Sequence, residues 1–409
     1  MRQTSILEVN EFLVLDFVRA RGETSRPQIA EELGLSPSSI SRIVRRLIDG
    51  GLVTEGERTS TGGRPRASIA FNSRAGCVLG VDLGGTKCHG AVADLGGTIL
   101  DEEVRPTGED GGPFPTLVGM IEALSARAEA HGLPVAALAV GVPAIVDADG
   151  VAIGGPNVHW HGFPLVAELR RRVAIPLTVQ NDVRLAALAH AWRGDARRCT
   201  DFAVLSIGTG IGSAVVTDGR LAKGRHNAAG EVGYLVLARE QLDQEGSGDL
   251  GGFERLASGP SIATLARTTL IGSRATSGLR DGPITTASVF AAAAAGDPVA
   301  SSVLGAVVDH VAMALVAIGA VADPEVVVLE GSVGRALEPH LDRLADRIAA
   351  QLPVPPRVVV SSLGANATVV GAIAAALQLT RTRNAPADLS QTFSVAADAR
   401  LSGTAVGVA

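Results

Sequence analysis

The stretch Asp82-Leu83-Gly84-Gly85-Thr86-Lys87 decides how most of this chain is expected to fold. It follows an apolar run, residues 77–81, that is typical of a buried strand. The glycines let backbone amides approach phosphate oxygens, the threonine hydroxyl adds a donor, and the aspartate can hold Mg²⁺ or its waters. The sequence therefore predicts a phosphate-binding loop, whose contact residues are Asp82, Gly84, Gly85, Thr86 and Lys87.

A second loop of the same kind follows about 120 residues later. The mostly apolar run 204–207 leads into Gly208-Thr209-Gly210-Ile211-Gly212, and a further apolar stretch, 213–216, comes next. Two Gly-Thr loops, each between predicted strands, indicate two lobes that close on one nucleotide. The predicted phosphate contacts of this second loop are Gly208, Thr209 and Gly210.

Between the two loops, Asn181-Asp182 ends a predicted strand and opens a helical run, 185–192. A carboxylate at this position is suited to act as a general base, which takes the proton of a sugar hydroxyl as it attacks a γ-phosphate. The alternative is that Asp182 only caps its helix. The phosphate loops on either side favour the general base.

Residues 1–75 have the pattern of a helix-turn-helix module. One amphipathic helix ends near Gly22, a second follows the cap Ser25 with Gln28 in the capping-box position, and a third follows Ser36-Pro37. Gly34 permits the tight turn between the last two, so the third helix offers its first residues to the major groove of DNA. The predicted DNA contacts on this helix are Ser38, Ser39, Arg42, Arg45 and Arg46.

A basic hairpin completes this module. Two short strands, 52–54 and 67–71, flank a hairpin tip that forms the wing of a winged helix. Arg64 and Arg66 are placed there to reach a minor groove or the DNA backbone. The alternative is a three-helix dimerisation module with solvated arginines, which would require the caps, turn glycine, apolar stripe and basic wing to coincide by accident.

Composition sets wider limits on the class of protein. The 409 residues are 46% hydrophobic and 19% charged, which is ample for buried cores in a small module plus one large or two medium domains. No uninterrupted apolar run reaches the ~18–20 residues of a membrane span, and the N-terminus does not resemble a signal peptide. The three cysteines are too few for a disulfide framework or a thiolate metal site. We therefore expect a cytoplasmic protein without a membrane partner.

Taken together, these motifs resemble those of the ROK family (repressors, open reading frames and kinases), and specifically its transcriptional regulators with an N-terminal winged helix. The resemblance covers about residues 5–380 and also rests on Gly141-Val142-Pro143 and Ala229-Gly230-Glu231-Val232-Gly233. It implies an α/β fold, in which a winged helix-turn-helix precedes a two-lobed, actin-like (ribonuclease H-like) ATPase fold of the sugar kinase type. The expected domains are residues 1–75, residues 76–380 and a C-terminal extension, 381–409.

The resemblance also implies roles for individual residues of the cleft between the lobes. By motif position, Asp182 matches the catalytic base. The positions that match ligands of the sugar hydroxyls are Asn157, Asn181, Glu231 and Glu254. The cofactors that an active member of the family would need are ATP and magnesium.

This chain departs from the family pattern at its zinc site. Tyr234 stands at the position of the zinc-binding histidine, and Glu245, Ser247 and Gly252 stand at three cysteine positions. A structural zinc of the thiolate type therefore cannot form, and we expect no zinc. Tyr234 instead offers the sugar a hydroxyl donor or an aromatic wall. The acidic residues of the same loop either hold another cation or remain solvated.

A second departure lies at Glu330, the first position of a Gly-Gly pair that usually follows a late strand near the adenine site. A carboxylate there is expected to weaken ATP binding by its bulk and charge.

Two functions follow from these patterns. The first is a sugar-responsive regulator of carbohydrate metabolism genes, specifically a repressor, which requires no cofactor. As a homodimer or tetramer it would bind operator DNA and respond to a sugar effector between its lobes. The second is an active ATP-dependent kinase of a hexose or N-acetylhexosamine with a DNA-binding domain attached. The lost zinc site and Glu330 favour the first function, whereas Asp182 supports the second.

Overall fold

The protein begins with a small helical module closed by an antiparallel sheet. The computed structural model describes residues 6–59, 66–155, 158–243 and 250–384. The strand order of this first sheet is β1-β3-β2. The elements of the module are α1 (Ile6–Arg21), β1 (Glu23–Thr24), α2 (Arg26–Leu33), α3 (Pro37–Asp49), β2 (Val53–Thr59) and β3 (Arg66–Phe71).

Local chemistry explains where these helices begin and end. Gly34 adopts the left-handed conformation (φ +63°) at the end of α2, which the tight turn into α3 requires. Ser36 caps α3, since its hydroxyl accepts a hydrogen bond from the backbone amide of Ser39 at 3.2 Å. Ser25 stands at the cap position of α2, but the predicted side-chain cap is wrong, because its hydroxyl donates to the side chain of Gln28 at 2.8 Å. The result is the predicted helix–turn–helix order.

The next part of the chain forms a first lobe around a five-stranded sheet of order β10-β7-β4-β5-β6. The strands β4, β7 and β10 are parallel, whereas β5 and β6 pair antiparallel with their neighbours. The elements of this lobe are β4 (Cys77–Leu83), β5 (Lys87–Asp94), β6 (Ile99–Pro106), α4 (Pro113–Ala130), β7 (Val135–Val142), β8 (Ile145–Val146), β9 (Ala152–Ile153), α5 (Leu165–Arg172), β10 (Leu177–Asn181) and α6 (Asp182–Trp192).

A second lobe repeats this strand pattern in a sheet of order β13-β12-β11-β14-β15. An antiparallel pair, β11 and β12, again stands beside parallel strands, β14 and β15. Its elements are β11 (Phe202–Ile207), β12 (Ile211–Thr217), β13 (Arg220–Leu221), α7 (Glu254–Ala257), α8 (Gly259–Gly272), α9 (Thr286–Ala294), α10 (Pro298–Ala322), β14 (Val326–Glu330), α11 (Gly331–Ala336), α12 (Leu341–Ala349) and β15 (Arg357–Val360). The helix α13 (Ala367–Asn384) follows and packs against β4 and β7 of the first sheet.

One helix of the second lobe, α10, is long and apolar enough to cross a membrane by length and composition. However, 56% of its most apolar window is buried inside the protein, where it packs among α8, α9 and α12. Its apolar face therefore belongs to the core of the second lobe.

Two helices, α6 and α13, join the lobes. Their side chains share one buried cluster with Val78 of the first sheet and Val204 of the second. The two helices touch through a glycine: a Cβ atom on Gly371 would lie 1.7 Å from the carbonyl oxygen of Leu185. The last helix continues to Asn384, beyond the expected start of the extension at residue 381, and residues 385–409 lie outside the described residues.

The close contact at Gly371 generates a stability prediction. We expect Gly371→Ala to destabilise the protein by about 3 kcal/mol, because the added carbon overlaps a backbone atom that cannot move alone. Urea unfolding followed by tryptophan fluorescence measures the change, since Trp192 lies on α6 itself. Gly278→Ala is the control, because a Cβ there meets open space, and should stay within about 0.5 kcal/mol of wild type. Equal stability of the two variants would show that α13 is not wedged against α6.

Candidate functional site

The structure places most of the predicted DNA contacts on one helix. Ser38, Arg42 and Arg45 are exposed on α3. Arg46 instead forms an ion pair of 3.1 Å with Glu11 of α1. Ser39 is half-buried and accepts a hydrogen bond of 2.9 Å from the hydroxyl of Ser36. Three arginines and one serine of the predicted residues are therefore exposed on this helix, and Arg46 is the arginine that is paired with α1.

The structure describes the two strands of the predicted wing but not its tip, residues 60–65. Arg66 is the first residue of β3, which pairs antiparallel with β2 as the two sides of a hairpin. Arg64 lies outside the described residues. The contribution of both arginines to DNA binding stays a prediction.

The two lobes enclose a cleft with a volume of about 320 Å³, which is within the range of small-ligand sites. Asn157 lies outside the described residues. All the other residues predicted for the phosphate and sugar sites line this cleft: Asp82, Gly84, Gly85, Thr86, Lys87, Asn181, Asp182, Gly208, Thr209, Gly210, Glu231, Tyr234 and Glu254. The structure therefore brings together residues that are up to 172 positions apart in the sequence, although their binding roles remain predictions.

Both glycine loops are tight turns of their sheets. In the first loop, between β4 and β5, the amide of Gly84 donates to the carbonyl of Lys87 at 2.9 Å, and the hydroxyl of Thr107 donates to the carbonyl of Gly84 at 2.7 Å. In the second, between β11 and β12, the amide of Gly208 donates to the carbonyl of Gly210 at 2.9 Å. The two turns approach the cleft from opposite lobes.

Asn181 caps helix α6, whereas Asp182 is the candidate general base in the cleft. The side-chain oxygen of Asn181 caps α6 by accepting the amides of Val183 at 3.0 Å and Arg184 at 3.3 Å. The capping role considered for Asp182 thus falls mainly to Asn181, although one oxygen of Asp182 also accepts the amide of Val183 at 2.8 Å. Burial raises the pKa of Asp182 to about 6. A carboxyl that titrates near neutral pH is suited to accept a proton.

Two further carboxylates face the same space from the second lobe. Burial, together with the charges of Asp182 and Glu254, raises the pKa of Glu231 to about 7. Burial also raises the pKa of Glu254. One oxygen of Glu254 accepts the amide of Ile211 at 3.2 Å, and the other is buried without a hydrogen-bond partner among the described residues. An unpaired buried acceptor is costly, so a ligand hydroxyl that donated to it would be favoured.

Sequence reasoning missed Arg184, a buried cation behind this end of the cleft. Its guanidinium donates to the carbonyls of Ala222 at 3.1 Å and Asn227 at 3.2 Å, and so holds the loop that leads to Glu231. Its charge also lowers the pKa of Glu231, against the stronger effect of burial. The sequence does show an arginine two residues after Asp182. Its role could not be read from there, because its hydrogen-bond partners lie about 40 residues away in the sequence.

Sequence reasoning also missed the partner of Glu330. This carboxylate is buried at the end of β14 and lies 2.8 Å from Nε2 of His190, a fully buried residue of α6. The other ring nitrogen, Nδ1, lies 3.3 Å from a carboxylate oxygen of Asp195. Glu330 also lines the cleft, beside Ser332 and Arg335. The predicted departure from the family pattern is therefore tied by a hydrogen bond to the helix that begins at Asp182.

The charge of Glu330 reaches the first phosphate loop. Burial raises the pKa of Asp82 to about 8, and the neighbouring Asp182 and Glu330 add to this effect while Lys87 opposes it. Five carboxyl groups line the cleft, against the two cations Lys87 and Arg335. A polyphosphate would enter an excess of acidic groups here unless a metal ion accompanied it.

The positions of the lost zinc ligands are partly described. Tyr234 is half-exposed at the cleft, where its hydroxyl lies near Gly154 of the first lobe. Gly252 packs against the carbonyl of Leu235, so a Cβ there would lie 2.5 Å from that oxygen. Glu245 and Ser247 lie outside the described residues. No group of three or more His, Cys, Asp or Glu suited to a metal occurs among the described residues, and the absence of zinc stays a prediction.

Comparison with protein-family models identifies both parts of the chain. A ROK family model matches residues 78–379, and a MarR family model matches residues 7–65. The chain belongs to the ROK family and carries a MarR-type winged helix at its N-terminus, which confirms the predicted family and fold class.

Individual relatives include both regulators and kinases. The xylose repressor of Caldicellulosiruptor bescii is 26% identical over 91% of this chain and 96% of its own length. The crystal structure of a ROK family transcriptional regulator, a homolog of the Escherichia coli Mlc protein, superposes with a TM-score of 0.76 and 26% identity, over 97% of this chain and 98% of that one. A ROK family glucokinase from Streptomyces griseus, in complex with glucose and AMPPNP, has a TM-score of 0.64 and 28% identity, over 74% of this chain and 100% of its own.

The raised pKa of Asp82 predicts how stability depends on pH. Its folded-state pKa of about 8 exceeds the ordinary value of 3.8, so the folded protein retains a proton that the unfolded chain releases. The contribution of this site to the free energy of unfolding therefore falls as the pH rises from the ordinary pKa of 3.8 to the folded-state pKa of about 8. Asp82→Asn stays neutral throughout, so its advantage over wild type in free energy of unfolding should be larger at pH 8 than at pH 5, in buffer without divalent metal.

The exposed Asp281 provides the control for this measurement, and Asp281→Asn should show no such growth between the two pH values. An Asp82→Asn advantage of equal size at pH 5 and pH 8 would contradict the burial of an ionisable carboxyl at the phosphate loop.

Proposed function

We propose that this protein is a sugar-responsive transcriptional regulator, specifically a repressor, whose effector binds between the two lobes. The observation that carries the proposal is the union, in one chain, of a MarR-type winged helix and a ROK domain. The same union over nearly the whole length of a xylose repressor supports it. The exposed Arg42 and Arg45 supply phosphate or base contacts for operator DNA.

The chemistry of the cleft supports a sugar effector without a nucleotide. Asp182, Glu231 and Glu254 offer acceptors for sugar hydroxyls, and one oxygen of Glu254 has no partner among the described residues. Glu330, held by His190, adds negative charge beside the first phosphate loop. The sugar end of the cleft is therefore better equipped for binding than the nucleotide end.

The proposed regulator has a DNA-binding part and a sugar-binding part and acts as a dimer. Residues 1–75 form the DNA-binding domain, and the sugar-binding domain extends from residue 76 to the end of α13 at Asn384. A homodimer in the cytoplasm would bind a pseudo-palindromic operator, with one winged helix on each half-site. It would need neither a cofactor nor zinc.

The second candidate is an ATP-dependent sugar kinase, which the position of Asp182 favours. This carboxyl lies in the cleft with its pKa raised to about 6, as a general base requires. Asp82 would hold magnesium, and the amides of the two glycine turns would hold phosphates. Against this candidate stands the carboxylate of Glu330 at the nucleotide end.

Operator binding in the presence of sugars tests the regulator. A duplex selected from a random DNA pool by the full-length protein serves as operator, and its affinity is measured at fixed salt against a panel of sugars and sugar phosphates. We expect at least one sugar to weaken operator binding about 5- to 150-fold. Glu254→Gln should bind the operator like wild type but lose most of this response, because it replaces a charged acceptor by a neutral amide.

Arg42→Ala combined with Arg45→Ala should abolish specific binding in the same assay. A panel in which no sugar changes operator affinity would remove the effector from the proposal.

Phosphoryl transfer separates the two candidates. We expect wild type with ATP and Mg²⁺ to phosphorylate hexoses and N-acetylhexosamines no faster than Asp182→Asn, because Glu330 disfavours the nucleotide. A coupled assay of ADP release measures the rate. Turnover about 100-fold above that of Asp182→Asn, the usual size of a general-base effect, would instead establish the kinase.

A further inference from the structure

The last helix among the described residues, α13, runs from the cleft to the DNA-binding module. At its N-terminal end, Ala367 and Thr368 line the cleft. At its other end, Arg381 donates a hydrogen bond of 2.5 Å to Asp16 of α1. The thirteen steps along the helix from Thr368 to Arg381 span about 20 Å at 1.5 Å per residue. One continuous element therefore touches both the ligand site and the winged helix.

This helix has little freedom to bend or slide where it crosses the ROK domain. Gly371 packs against the backbone of α6, as described above. A Cβ atom on Gly80 of β4 would lie 3.0 Å from the carbonyl oxygen of Val369 and 2.9 Å from the side chain of Ile373. A helix fixed this closely against a sheet and a second helix moves as a rigid body.

The contact at Arg381 is built into the protein. The Arg381 side chain is only 6% exposed, and that of Asp16 is 32% exposed. A second contact lies nearby on β3, where Phe71 packs against both the core of the winged helix and the core that contains α6 and α13. The guanidinium of Arg19, also on α1, lies 4.4 Å from the centre of the Phe71 ring.

From α1 the connection continues to the DNA-contacting helix. Val14 and Val18 of α1 are fully buried with Ile40 and Val44 of α3. The ion pair between Glu11 and Arg46 joins the same two helices. The orientation of α1 therefore sets that of α3.

We propose that α13 transmits the occupancy of the cleft to the DNA-contacting helix, with the ion pair Arg381–Asp16 as its point of action. This inference rests on the proposed function, since it requires a ligand between the lobes. In the ligand-free protein the pair holds α1 and α3 in the orientation that binds the operator. A ligand that contacts the first turn of α13 shifts this helix as one body with α6 and the first sheet and separates the pair, so the two arrangements differ in operator affinity.

Charge reversal and its swap test this coupling in the full-length protein. Arg381→Asp should weaken ligand-free operator binding about fivefold or more and reduce the effect of the sugar by a similar factor. Sugar affinity in the absence of DNA, measured by calorimetry, should not fall and should rise by up to the same factor, because the variant populates the arrangement that the sugar favours. The double variant Asp16→Arg/Arg381→Asp has the net charge of wild type and should restore both operator affinity and the sugar response.

Two further variants serve as controls. Arg343→Asp makes the same charge change on α12, where Arg343 pairs with Asp309 on the outer side of the second lobe, and should leave operator binding unchanged. Arg381→Met removes the charge but keeps the aliphatic stem, so it should reproduce the defect even where Arg381→Asp fails to fold.

The proposal is overturned where Arg381→Met binds the operator like wild type, or where the folded swap is no better than the single reversal. These outcomes need no sugar. If the wild-type protein responds to no sugar, the proposed function is wrong. The operator affinities of the ligand-free variants still decide whether the ion pair orients the DNA-contacting helix.

Discussion

The contact between α6 and α13 at Gly371 is the constraint on which the rest of the molecule depends. There is no space for even a single carbon between the two helix backbones. The helices occupy one core with residues of both sheets, and this core lies between the two lobes that enclose the cleft. Asp182 begins one of these helices, and Thr368 faces the cleft from the first turn of the other. Packing and ligand site are therefore parts of a single arrangement.

The electrostatics of the cleft follow from the same arrangement. Because α6 runs from Asp182 toward the second lobe, it brings His190 to 2.8 Å from Glu330 at the end of β14. A carboxylate buried without such a partner would carry a large desolvation cost. The hydrogen bond thus makes a charged residue tolerable at the nucleotide end. Burial raises the pKa of Asp82 on the other side of the cleft, and the charge of Glu330 adds a smaller contribution. At the sugar end, burial raises the pKa of Glu231, and the buried cation Arg184 partly opposes this effect.

The sequence was informative where structure depends on neighbouring residues. Caps and turn glycines predicted the helix-turn-helix, and the glycine motifs predicted both cleft loops, because these features are local. The partner of Glu330 was out of reach, since His190 lies 140 residues away. Arg381 was assigned to an extension because the composition around it has weak periodicity, yet it continues α13 and meets Asp16. Ser25 shows the limit even of local rules, because its hydroxyl had two partners within reach and bonds the side chain of Gln28.

The glycine loops of this cleft have a structural task apart from any phosphate. The amides of Gly84 and Gly208 close the turns of two antiparallel pairs, one in each lobe. Gly331, which follows Glu330, has a φ of +79°, and a Cβ there would lie 2.2 Å from the carbonyl of Ile207 at the second loop. A side chain at Gly331 would therefore disturb the second loop, and a Cβ on Gly84 would lie 3.0 Å from the carbonyl oxygen of Lys87 in the first. A regulator built on this fold would therefore keep the loops of a kinase for reasons of backbone geometry, so their presence does not by itself indicate catalysis.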